Sequence, residues 1–129
     1  MTQLYPGAII ADKYRVDRLI GQGGMGYVVE ATHQAFGDRV AIKLLLPEVA
    51  GHAEVVARFL REGRAARQIR SEHVVQVTDL ATLEDGSPYM VMEFLEGTDL
   101  ASLIRRSGPL PVDDAITYLL QACEALAEA

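Results

Sequence analysis

The sequence has a single cysteine, Cys123, among its 129 residues, so no disulfide can close within the chain. That usage suits a reducing compartment and predicts a cytoplasmic location. No apolar run approaches the roughly 18 residues that a membrane span requires. The N-terminus, "MTQLYPGAIIADKYRV", has no basic residue before Lys13 and no long apolar segment, so neither a membrane segment nor a signal peptide is expected. A positive excess is also missing. The net charge of −6 and pI near 5.0 argue against a nucleic-acid backbone as the main partner, although a local field can still hold a small anion. There is no internal repeat, low-complexity tract or linker. His33, His52 and His73 fall at no metal-ligand spacing, so no metal site is expected. The remainder is an ordinary globular composition, 50% hydrophobic and 23% charged, with the length of about one domain.

Locally, however, glycine is abundant. The stretch "LIGQGGMGYVVEA" places Gly21, Gly23, Gly24 and Gly26 between two runs of strand-forming residues, "YRVDRLI" (14–20) and "YVVEAT" (27–32). A glycine inside an element costs roughly 0.5–1 kcal/mol relative to alanine, so this cluster must serve a purpose that a side chain would obstruct. Main-chain N–H groups closing over a phosphate are one such purpose. In a dinucleotide-binding fold the G-x-G-x-x-G pattern opens a helix after a strand. Here it opens "YVVEAT", which is poor helix material, and the glycines are expected in a hairpin.

After a turn at Gly37-Asp38, "RVAIKLL" alternates, with Val40, Ile42 and Leu44 on one face and Ala41, Lys43 and Leu45 on the other. Residues 54–70 have helical periodicity. Val55, Phe59, Glu62, Ala66 and Ile69 fall within about 80° of one another on a helical wheel. A carboxylate on an apolar stripe is costly unless paired, and Lys43 is its natural partner. Strands are expected within 73–83 and over 88–95, a short helix in "GTDLASLIRRSG", and a last helix carrying Val112, Ile116, Leu119, Leu120, Cys123 and Leu126 on one side. Cys123 is expected in a core. Arg58, Arg61, Arg64, Arg67 and Arg70 wind around the outer side of the Glu62 helix and read as a solvated face.

With "GQGGMGYV", "VAIK", "RFLREGRAARQI" and "YMVMEFLEGTDL" in this order, the chain resembles the N-terminal half of a protein kinase domain, in particular the bacterial serine/threonine kinases of eukaryotic type. The resemblance runs from about Tyr14 to Ala129. It departs at Val29, where the family usually carries an aromatic residue. The resemblance implies an α+β fold: an N-lobe of five antiparallel strands plus one packed helix over about 14–95, then the hinge and first C-lobe helices over 96–129. It implies ATP and Mg²⁺ as cofactors, and a protein substrate with Ser or Thr as partner. Gly21, Gly23, Gly24 and Gly26 would then close over the phosphates, and Ile20, Val28 and Ala41 would sandwich the adenine. Lys43 would hold the α- and β-phosphates, with Glu62 orienting it. Met92 would stand behind the adenine, the Glu93 carbonyl and Leu95 amide would bond the base, and Asp99 would meet the ribose. A plain N-terminal helix charge accounts for Asp99 equally well.

The resemblance also indicates what is missing. A kinase needs a catalytic-loop Asp, and an Asn plus a DFG Asp for Mg²⁺, but "HRD", "DFG" and "APE" do not occur here. The expectation is therefore a piece of a longer kinase that supplies the ATP-binding half and that, alone, self-associates through its last helix, binds ATP weakly at best and is inactive. Two alternatives are a non-catalytic ATP-binding or pseudokinase module and a dinucleotide-binding oxidoreductase domain.

Overall fold

Alternation in "RVAIKLL" dictates a strand with two working faces, and the computed structural model, which describes residues 4–129, has β4 at Arg39–Leu45. The reading of the N-terminus falls in part on residues 1–3, outside the described residues. In chain order the other elements are β1 (Ile9–Ile10), β2 (Tyr14–Gly23), β3 (Gly26–His33), α1 (Ala53–Gln68), β5 (Val77–Thr82), β6 (Pro88–Glu93), α2 (Leu100–Ser107) and α3 (Val112–Glu128). All strands join one antiparallel sheet in the order β1-β2-β3-β4-β6-β5.

The sheet has six strands, not the expected five. The additional strand, β1, is two residues long and pairs Ile9 with Arg15 and Ile10 with Tyr14. Two residues carry no readable period. Its turn to β2 places Ala11 and Asp12 at φ 54° and 58°, the left-handed conformation that such a turn normally obtains from Asn-Gly.

The chain divides into two compact units. One comprises the described part of residues 1–68 together with 76–94, and the other comprises 69–75 and 95–129. The first unit has two cores, one on each face of the sheet. On one face Ile10, Val16, Tyr27, Val29, Ile42, Leu44, Tyr89 and Val91 are almost completely buried. The other face carries Leu45, Val77 and Met90, covered by Phe59 of α1 with Val55, Val56 and Ala66 at the margin. Ile42 and Leu44 thus point one way and Leu45 the other, as the alternation requires. Tyr27 is also held by its hydroxyl oxygen, which accepts from the Leu4 N–H at 3.1 Å.

The second unit is helical. Asp99 caps α2: its Oδ1 accepts from the Ser102 N–H at 2.6 Å and its Oδ2 from the Ser102 hydroxyl at 3.0 Å. Gly108, at φ 79°, ends the helix with its N–H donating to the Ile104 carbonyl. His73 Nε2 lies 3.0 Å from Glu124 Oε2 and ties the 69–75 segment to α3. Neither α2 nor α3 has a buried residue. Cys123 is therefore exposed rather than in a core.

Candidate functional site

The glycine stretch forms a hairpin whose strands run further than propensity predicts. Gly23 pairs with Gly26, leaving only Gly24 and Met25 at the tip. Its four glycines have different physical reasons. Gly24 has φ 48° and makes the turn. A Cβ on Gly26 would lie 2.8 Å from the Leu44 carbonyl oxygen, so this glycine lets β3 approach β4. Gly21 and Gly23 have ordinary φ, and a Cβ on either would meet nothing within 4 Å. Packing gives no reason for glycine at those two positions, which leaves open space beside their backbone.

That space belongs to a cavity of about 440 Å³ lined by Gly21, Gly23, Gly24, Gly26 and Val28 on one side and by Lys43 and Glu62 on the other, with Gln22, Met25, Arg58 and Phe59 at its margins. The cavity brings together seven of the residues predicted from the sequence. Register explains the grouping: Val28 pairs with Lys43 across β3 and β4, and directly opposed residues share a sheet face. The β4–β6 ladder extends this face, pairing Ala41 with Met92 and Lys43 with Met90. Ala41 and Met92 therefore lie on the cavity face without lining the cavity, whereas Glu93 pairs with Val40 on the opposite face. Ile20 falls at a register shift between Leu19 and Gly21 and is 42% exposed; such a bulge re-aims a side chain. Leu95 and Asp99 belong to the helical unit, where Asp99 is occupied as the α2 cap. The Ser102 backbone N–H, and then its hydroxyl, hold the Asp99 carboxyl below its ordinary value.

The expected Lys43–Glu62 pair is not formed. Glu62 has a side chain 56% exposed, and its Oε1 accepts from Arg58 Nε, one turn earlier on α1, at 3.0 Å. Among the described residues no carboxylate lies within 4.0 Å of the Lys43 ammonium. The reason lies in the phase of the helix. Its buried line runs through Phe59 and Gly63 rather than through Glu62. A Cβ on Gly63 would be 3.0 Å from Leu80 Cδ1 and Met90 Cε, so the missing side chain lets α1 settle onto β5 and β6 on that side. Glu62 then reaches the cavity rim, where water and Arg58 meet its charge.

Sequence reasoning missed Gly63, because a residue without a side chain is invisible to an apolar stripe. It also missed Glu30, a carboxylate in the middle of "YVVEAT" whose partners, Arg18 and Arg39, come from the two flanking strands. A charge inside a strand, with arginines 12 residues before it and nine after it, was the available signal.

Chemically, the hairpin and Lys43 offer a lined recess with unobstructed backbone at Gly21 and Gly23 and one flexible cation. That set fits an anionic phosphate chain. Among the described residues no group of three or more His, Cys, Asp or Glu side chains could hold a metal ion. No helix among the described residues is long and apolar enough to cross a membrane. The glycines open strand β3, not a helix, which removes the dinucleotide-fold alternative.

Similarity to known proteins agrees with this geometry. Residues 14–128 match the protein kinase domain family. The chain is 36% identical over 128 residues to serine/threonine-protein kinase pkn3 of Myxococcus xanthus, covering 99% of this chain and 23% of that protein. It is 39% identical over 122 residues to PknA of Corynebacterium glutamicum, covering 92% of this chain and 26% of that one. Among solved structures, the Mycobacterium tuberculosis PknI kinase domain superposes with a TM-score of 0.79 at 28% identity, covering 98% of this chain and 52% of that chain. The chain thus spans about a quarter of these relatives and half of that kinase-domain structure. With the family matched over almost its whole length, and with the glycine hairpin and Lys43 lining one cavity, the chain belongs to the protein kinase family.

Proposed function

We propose that this chain is the nucleotide-binding half of a serine/threonine protein kinase, with 14–95 the N-lobe and 96–129 the hinge and first C-lobe helices. The whole protein would phosphorylate Ser or Thr of a protein substrate with ATP. The observation that carries this reading is the cavity shared by Lys43 and by Gly21 and Gly23, whose lack of side chains packing does not explain. The names of the relatives, serine/threonine-protein kinases, support the substrate class.

In this reading the backbone N–H groups of the hairpin, with Met25 at its tip, bind the ATP phosphates. Lys43 places one positive charge on the α- and β-phosphates, an interaction that strengthens as charge develops in transfer. Val28 and Ala41, with Ile20 at the bulge, take the faces of the adenine. Met92 stands behind it, the Glu93 carbonyl and Leu95 amide meet its edge, and Asp99 meets the ribose from the α2 N-terminus. Glu62 orients Lys43 after exchanging Arg58 for the ammonium; both side chains line the same cavity. Magnesium, when bound with ATP, neutralises charge on the phosphates.

The test is phosphotransfer by the parent protein. Lys43→Met removes a single preorganised charge and is expected to cost on the order of 3 kcal/mol of transition-state stabilisation, about 100-fold in rate, with the fold retained. Transfer at the unsubstituted rate would overturn the assignment of Lys43. A double-mutant cycle with Glu62→Gln is expected to be strongly non-additive; additive losses would mean that Glu62 does not act through Lys43.

A further inference from the structure

Among the described residues, Glu30 is the only buried ionisable side chain of the sheet strands apart from tyrosines, and the nucleotide reading gives it no task. Its side chain is 10% exposed and its carboxylate is divided between two arginines: Oε2 accepts from Arg18 Nε and Oε1 from Arg39 Nη1, each at 3.1 Å. The three residues come from neighbouring strands, with Arg18 opposite Glu30 and Arg39 opposite Thr32. Stability alone is a weak reason for such a cluster, because apolar side chains of similar volume often serve as well or better.

The direction in which the cluster extends gives a stronger reason. The Arg39 guanidinium carbon lies 4.7 Å from the centroid of the Phe94 ring, within the range of a cation–π contact. Phe94 immediately follows β6, beside Glu93, whose carbonyl was assigned to the base. From the opposite side Glu93 is tied to Gln76 twice. The Glu93 N–H donates to the Gln76 carbonyl and the Gln76 N–H donates to Glu93 Oε1, both at 3.0 Å. The backbone leaving β6 is thus gripped on one flank by Gln76 and on the other by a relay from Glu30 through Arg39 to Phe94.

We propose that Glu30 and Arg39 are positioning residues which hold Phe94 and thereby fix the Glu93–Phe94 backbone for the purine edge. This rests on the nucleotide reading. Ala41 lies opposite Glu30 on β4 and opposite Met92 on β6, so the relay runs along the same sheet face as the adenine-facing side chains. It acts at the end away from the hairpin that serves the phosphates. Purine recognition and phosphate recognition are therefore separable by substitution.

The experiment uses the chain of 129 residues with Arg39→Met, Glu30→Gln and Arg39→Lys. Amide hydrogen exchange is read without ligand, and binding is measured for ATP and for inorganic tripolyphosphate. Arg39→Met is expected to speed exchange at Glu93 and Phe94 and to weaken ATP about 10-fold, the size of one lost cation–π and ion-pair contact. Exchange at Ile42 and the affinity for tripolyphosphate stay unchanged. Glu30→Gln gives the same pattern more weakly. Arg39→Lys recovers only part, because an ammonium can meet Glu30 but cannot also lay a planar group over Phe94. Equal losses of ATP and tripolyphosphate, or unchanged exchange at Glu93 and Phe94, overturn the positioning role. An unsubstituted chain that binds tripolyphosphate but not ATP overturns the nucleotide reading and the purine part of this proposal with it, whereas the exchange pattern still judges the grip on Phe94.

Discussion

The sheet unit and the helical unit are built from equally regular elements, yet only the first has an interior. In the sheet unit, Ile42, Leu44 and Ala31 have no exposed surface at all, and α1 seals the second face with Phe59. In the helical unit, α2 and α3 have no fully buried residue, and Val112, Leu119 and Leu126 are 73%, 66% and 72% exposed. Local signals suffice to form the helices: the Asp99 cap, the Gly108 stop and an apolar period of about 3.6 residues. They do not produce a core, which requires residues distant in sequence. The stability of this chain therefore resides in the sheet, together with the cavity that the sheet frames.

The largest expected contrast lies between cores. Ile42→Ala should cost about 2–5 kcal/mol in denaturant unfolding, whereas Leu119→Ala should change stability by less than about 0.5 kcal/mol. A comparable cost for Leu119→Ala would show an interior in the helical unit and break the distinction. Next comes a contrast within the hairpin. Gly26→Ala forces a Cβ toward the Leu44 carbonyl and should cost about 1–3 kcal/mol. Gly21→Ala, which meets nothing, should leave unfolding almost unchanged while weakening ATP binding. Equal destabilisation by the two would mean that both glycines serve packing. The uncovered stripe of α3 should drive self-association. Light scattering should find the chain associated, and Leu119→Lys with Leu126→Lys should shift it toward monomer; a monomeric unsubstituted chain would contradict this.

The smallest effect depends on pH and sharpens the account of the β2–β3 pair. The Thr32 hydroxyl donates to Asp17 Oδ2 at 2.6 Å and, more than Arg15, holds the Asp17 carboxyl below its ordinary 3.8. A carboxyl lowered by folding stabilises the protein at pH values above its unfolded pKa, and that contribution is lost as the pH falls through the folded value. Thr32→Val should therefore remove part of the acid sensitivity of unfolding below about pH 4 and leave its slope near neutrality unchanged. An unaltered acid limb would mean that Thr32 does not set the Asp17 titration.

How much of this was legible in the sequence varied with the reach of the interaction involved. β4 could be read from alternation alone, and the hairpin from glycines flanked by strand formers. The shared face of Ala41 and Lys43 follows from a period of two, and register then brought Val28 to Lys43. β1 was not legible, because two residues show no period and its turn uses Ala11 and Asp12 where glycine or asparagine is usual. Glu62 was placed on the correct helix but in the wrong phase: Gly63, which has no side chain to signal burial, occupies the buried line. Glu30 escaped because its partners lie on two other strands. Local pattern thus identified seven of the residues that line the cavity, and nonlocal packing decided which charges meet.

The central claim is that the glycine hairpin and Lys43 form one phosphate-binding recess, and an ATP titration followed by backbone NMR tests it most directly. The account predicts that the amides of Gly21, Gly23, Gly24 and Gly26 move together as ATP is added, and that Lys43→Met abolishes most of that movement while the spectrum stays folded. A titration in which ATP binds and those four amides stay still, or in which Lys43→Met leaves their movement intact, would contradict it.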